Sequence, residues 1–103
     1  MRGNILCLAI GLIAALPAPA VALGSASSGQ QIAERWCASC HQVEPQQQKA
    51  SADVPSFMSI AKSGGDLGWL KAFLSDAHPP MPNMSLTRSE IQDLMAYIET
   101  LKR

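Results

Sequence analysis

An all-α domain is what this chain predicts, and three observations predict it. Apolar residues recur every three to four positions in several separate segments, two segments open on capping-box patterns, and no stretch alternates apolar and polar residues as a half-buried strand does. No internal repeat is present.

The amino-terminal segment stands apart from that pattern. Met1 and Arg2 make a short basic start, and residues 5–16 follow without a charge, which is the layout of a secretory signal peptide. Ala20-Val21-Ala22 offers the preferred A-x-A cleavage site; Ala18-Pro19-Ala20 and a cut after Ala26 are alternatives. The apolar run is short for a membrane span, and Pro17 and Pro19 interrupt its extension, so no membrane attachment is expected once the leader is removed. The expected organisation is a signal peptide over 1–22, a linker over 23–28 and one domain over 29–103.

Within the domain, Ser28 and Gln31 fit a capping box, and Gly29, Ile32, Ala33, Trp36, Cys37 and Cys40 recur at helical spacing. A helix over about 29–41 follows. Residues 42–53 are polar, with Pro45 followed by three successive glutamines, and read as a loop. Pro55 opens a short helix to Ala61. After the Ser63-Gly64-Gly65 break, Asp66 caps a third helix over 67–74, whose apolar face is Leu67, Leu70, Phe73 and Leu74, widened by Trp69. His78-Pro79-Pro80-Met81-Pro82 cannot be helical, because its prolines lack N–H donors and fix their own φ. Thr87 and Glu90 form the second capping box, and Ile91, Leu94, Met95, Ile98 and Leu101 give the last helix a regular apolar stripe.

Chemistry concentrates in Cys37-Ala38-Ser39-Cys40-His41. On a helix Cys37 and Cys40 share a face as an i, i+3 pair, and His41 follows on the same side. That is the arrangement by which a chain attaches one haem covalently through two thioethers and supplies an axial ligand to its iron. Small size makes the same point. Without the leader the chain is about 81 residues, the 103 less 22, which seldom bury a secure core unaided. Cys7 leaves with the leader, and a disulfide between Cys37 and Cys40 would close too small a loop to staple a domain. A haem provides an apolar plate on which every helix can pack.

His41 leaves the other axial position open, and its occupant separates electron transfer from chemistry on small molecules. Met58 and Met95 lie on apolar helix faces, where core packing is the ordinary role of methionine. Met81, held between Pro80 and Pro82, presents its thioether on a stiff backbone and is the preferred ligand; Met84 and His78 are alternatives. The other ring nitrogen of His41 needs an acceptor, for which a carbonyl of the following loop is the natural source.

Charge excludes some partners. The chain has 8 basic and 8 acidic residues, and loss of Arg2 leaves a formal charge of −1 that two haem propionates lower further. No basic tract interleaved with aromatics appears, so nucleic acid is not an expected partner, and Lys49, Lys62 and Lys71 are too scattered for a lysine-rich docking face.

Taken together, the attachment motif, the proline-bracketed Met81 and the capped final helix with Tyr97 resemble the class I monohaem c-type cytochromes, particularly the small bacterial periplasmic ones, over essentially the whole mature chain. The resemblance implies a small cytochrome c-like fold, three to four helices wrapped around one covalently bound haem. It implies that Gly29 marks the crossing of the first and last helices, facing Leu94 and Tyr97, and that the Pro55 carbonyl accepts the N–H of the proximal histidine. Ala33 departs from the family, many members of which carry an aromatic there, leaving Trp36 or Tyr97 to fill the space. Trp69 lies where some members touch a haem propionate, with core packing its other role.

The implied function is a monomeric, periplasmic one-electron carrier, not an enzyme, serving transient redox protein partners. A haem enzyme or gas sensor with a displaceable methionine, or the haem subunit of a larger oxidoreductase, is the alternative. A thiol oxidoreductase would want its cysteine pair at the end of a strand, and a zinc site would want a second ligand pair.

Overall fold

A computed structural model describes residues 9–15, 24–63, 66–77 and 79–103. The described residues contain no strand, and the order of elements is α1 (Ala26–Ile32), a π-helical turn (Ala33–Cys37), α2 (Phe57–Lys62), α3 (Gly68–Ser75) and α4 (Arg88–Thr100). Residues 9–15 of the expected leader are irregular and exposed, and its remainder lies outside the described residues. Among the described residues no helix is long and apolar enough to cross a membrane.

α4 is the central element, and α1, α2 and α3 each pack on it. Its start was legible from two residues. Thr87 Oγ1 accepts the Glu90 N–H at 3.1 Å while Glu90 Oε1 accepts the Thr87 N–H at 3.0 Å, a complete capping box. Hydrogen bonds from Thr87 hold the Glu90 carboxyl below its usual pKa, the backbone N–H contributing most and the side-chain hydroxyl next. Ile91, Leu94, Tyr97 and Ile98 are buried, whereas Met95 and Leu101 are half-buried at the edge of the stripe. Lys102 pairs with Glu99 at 2.8 Å beyond the last turn.

The first helix begins earlier than its capping pattern suggested. Ser25, not Ser28, is the N-cap, its hydroxyl accepting the Ser28 N–H at 3.2 Å, so residues 26–28 of the expected linker form the first helical turn. A tertiary contact explains the choice: the Ser25 N–H donates to Asp93 Oδ1 on α4 at 2.7 Å. A methyl group on Gly29 would overlap the Asp93 carbonyl and come to 2.9 Å from the Leu94 nitrogen. The two backbones thus meet at Gly29, against Asp93 and Leu94.

Two other starts shift by a residue or two. Pro55 precedes α2, and Ser56 caps it, accepting the Ser59 N–H at 3.1 Å. Proline forces extended backbone on its predecessor, and Ser56 itself is extended, so helical geometry begins only at Phe57. At α3, Asp66 Oδ1 accepts the Gly68 N–H at 2.7 Å, so the carboxylate still serves the first turn, from one position before the N-cap Leu67. Leu67, Leu70 and Leu74 are buried, Phe73 half-buried, and Trp69 is 52% exposed.

Candidate functional site

The α-helix carrying the cysteines does not run through them. It ends at Ile32 and continues as a π turn closed by the Ala38 N–H on the Ala33 carbonyl at 2.9 Å. Ala33 and Cys37 stay buried, whereas Trp36 is 49% exposed and borders the cavity described below. Ala33 is fully buried, within the core cluster that also holds Tyr97.

Beyond the turn, the polar loop folds back over the motif and takes up its carbonyls. The Cys37 carbonyl accepts from His41 N–H at 2.8 Å, the Cys40 carbonyl from Ser51 N–H at 2.9 Å and the Gln42 carbonyl from Phe57 N–H at 2.8 Å. The Ala38 and His41 carbonyls are taken by the side-chain amide of Gln47, at 3.0 and 2.8 Å. Every one of these backbone acceptors is satisfied in a segment too short and irregular to form a helix of its own.

His41 Nδ1 lies 2.7 Å from the Pro55 carbonyl oxygen. A carbonyl only accepts, so Nδ1 carries the proton and Nε2 keeps its lone pair. Phe57 packs beside the ring, centroids 5.5 Å apart at 57°, and Tyr97 lies 6.5 Å beyond Phe57. The Tyr97 hydroxyl donates to the Val43 carbonyl at 2.6 Å. Burial, reinforced by the Glu44 and Glu34 carboxylates, pushes its pKa above the usual value.

His41, Pro55 and Phe57 belong to one wall of a cavity of about 490 Å³. Cys37, Cys40 and His41 line it together with Pro55, Phe57 and Ile60; α3 contributes Trp69, Leu70, Phe73 and Leu74; Met81 and Met84 come from the proline-rich loop, and Leu94 and Ile98 from α4. Cys37 and Cys40 are free thiols, the first buried and the second exposed. Burial pushes the Cys37 thiol up to about 11, so it stays protonated at neutral pH, opposite to the lowered pKa of a redox-active cysteine nucleophile. Met81 is half-buried against the core, whereas Met84 is exposed. Met58 and Met95 pack against the core and do not line the cavity. His78 lies outside the described residues. The loop between Met84 and α4 is turned by Ser85, which adopts φ 53° while donating its N–H to Asn83 Oδ1 at 2.8 Å.

Sequence reasoning missed two participants. Gln47 is one of four glutamines in a polar loop, and Trp36 has helical spacing and a candidate filling role beside Ala33 as its only sequence signals. A half-buried polar side chain inside an irregular segment has no local signature, so nothing in the sequence distinguished Gln47 from Gln46 or Gln48.

A flat, apolar, covalently attached group suits this cavity. Its walls are mostly aliphatic and aromatic, two thiols and one imidazole with a free nitrogen open onto it, and a thioether faces in from a separate loop. Comparison with known proteins agrees. The cytochrome c family model matches residues 26–102. The chain belongs to the cytochrome c family, as a small monohaem member of class I. It is 45% identical over 103 residues to cytochrome c-552 of Bradyrhizobium diazoefficiens, an alignment covering 99% of this chain and 95% of that one. No solved structure gives a significant match. Family membership assigns one covalently attached haem c with its iron, and the role of an electron carrier with redox partners.

Proposed function

We propose that the protein is exported to the periplasm through a signal peptide over residues 1–22, and there carries single electrons with Cys37 and Cys40 as thioether attachments, His41 as proximal ligand and Met81 as distal ligand. The observation that carries the proposal is the hydrogen bond from His41 Nδ1 to the Pro55 carbonyl, which leaves Nε2 free in a cavity shared with two free cysteines and Met81. The haem supplies an iron that alternates between its ferrous and ferric states. Pro55 orients the imidazole and, by accepting its proton, makes Nε2 a stronger donor. The Met81 thioether favours the reduced state and raises the potential. The apolar walls contributed by α3 and α4 keep water away, which limits reorganisation when charge changes. Redox protein partners would meet a monomer briefly at the open side of the cavity.

Absorption spectra of the periplasmic protein in both oxidation states test the reading, together with the mass of the intact chain. One haem added through two thioethers and a weak far-red band from sulfur on ferric iron are expected. A haem-bearing protein without that band would overturn Met81 as ligand, and a chain retaining residues 1–22 would overturn the export leader.

A further inference from the structure

Gln47 lies in the polar loop after the motif, half-buried, and its carboxamide sits among four backbone groups. Its Nε2 is 2.8 Å from the His41 carbonyl, 2.8 Å from the Lys49 carbonyl and 3.0 Å from the Ala38 carbonyl. Its Oε1 accepts the Val43 N–H at 2.8 Å. A carboxamide has two N–H hydrogens, so three carbonyls share them. The Gln47 carbonyl in turn accepts from Gln42 Nε2 at 3.4 Å.

The placement of these partners matters more than their number. Ala38 lies between the two cysteines, and His41 is the residue whose imidazole faces the cavity. Pro55 fixes the ring of His41 from one side; the backbone from which that ring hangs is tied through its carbonyl to Gln47. Val43, held by Gln47 at its N–H, accepts the Tyr97 hydroxyl at its carbonyl, which links the arrangement to α4. A single neutral side chain with donors and an acceptor at its tip can make all these bonds at once. An aliphatic residue makes none, and a carboxylate would set negative charge against three carbonyl oxygens.

We propose that Gln47 is a positioning residue for the axial histidine: its carboxamide clamps the main chain of the attachment segment at Ala38 and His41, so that Pro55 and Gln47 together set the direction of the imidazole. The proposal rests on His41 being the iron ligand, as argued above. Its content is separate, because it concerns what holds His41 in place and not whether His41 binds.

The test uses the intact holoprotein. In the wild type, hyperfine-shifted ring resonances of His41 in the ferric state establish the ligand; their absence would sink the site reading itself. Exchange of the two Gln47 side-chain amide protons should be at least about tenfold slower than for the exposed Gln48, as expected of hydrogen-bonded donors. Equal exchange rates for the two residues would overturn the clamp without requiring any variant to fold. Gln47→Leu and Gln47→Glu should both displace the ferric His41 ring resonances, because both remove the donors, although Gln47→Glu keeps the chain length and an acceptor for Val43. Variants that melt at lower temperature yet keep the wild-type His41 resonances would reduce Gln47 to a fastener of the loop and overturn its positioning role.

Discussion

The Tyr97 hydroxyl donates to the Val43 carbonyl at 2.6 Å, across 54 positions of sequence. It joins the last helix to the loop that follows His41. Tyr97→Phe leaves the buried Val43 carbonyl without its partner and should cost about 1–3 kcal/mol in denaturant unfolding. The Tyr97 pKa is raised on folding, so its contribution to stability should be complete below the ordinary tyrosine range and be lost as pH rises through the folded value. That alkaline limb should be flatter in the phenylalanine variant.

Gly29 meets α4 where no side chain fits. Gly29→Ala drives a methyl group into the Asp93 carbonyl, so α1 and α4 must separate, at a cost of about 1–3 kcal/mol or more. Thermal unfolding of the holoprotein measures it. A variant as stable as the wild type would refute the close crossing.

Acid should weaken the last helix at its start. The Glu90 carboxyl is held below its ordinary pKa by the capping box, so its contribution is complete above the ordinary carboxylate range and is lost as pH falls through the lowered folded value. Thr87→Ala removes the reciprocal bond and should cost about 1 kcal/mol at neutral pH. Unfolding midpoints should fall from pH 7 downward in both proteins, because Thr87→Ala keeps the backbone N–H that holds the Glu90 carboxylate.

Met81 and Met84 both reach the cavity, and substitution separates them. Met81→Ala should abolish the far-red band, lower the midpoint potential and let carbon monoxide bind the reduced protein at neutral pH. Met84→Ala should leave spectrum and potential nearly unchanged. Ready binding of carbon monoxide by the wild type would favour a sensor or enzyme over a closed electron carrier.

Without haem the fold should not persist. A cavity of about 490 Å³ with largely apolar walls would stand open to water in a domain of this size. Chain made in a reducing cytoplasm should lack a cooperative unfolding transition by circular dichroism, and a cooperative helical apo state would contradict this.

What the sequence determined by itself was local. Thr87 and Glu90 announced α4 because both halves of a capping box lie within one turn, and the stripe from Ile91 to Ile98 named its buried face. Cys37, Cys40 and His41 carry the spacing on which the proposed haem attachment rests. The tertiary structure decided whatever depends on partners far away in the chain. Ser25 displaced Ser28 as N-cap because Asp93, 68 positions on, takes the Ser25 N–H. Trp36 and Trp69 went to the cavity instead of the core. Gln47 became the most connected side chain of its loop only once the chain had curled around it. Periodicity and caps act over three or four residues, whereas a donor finds a distant carbonyl only after packing has brought the two together.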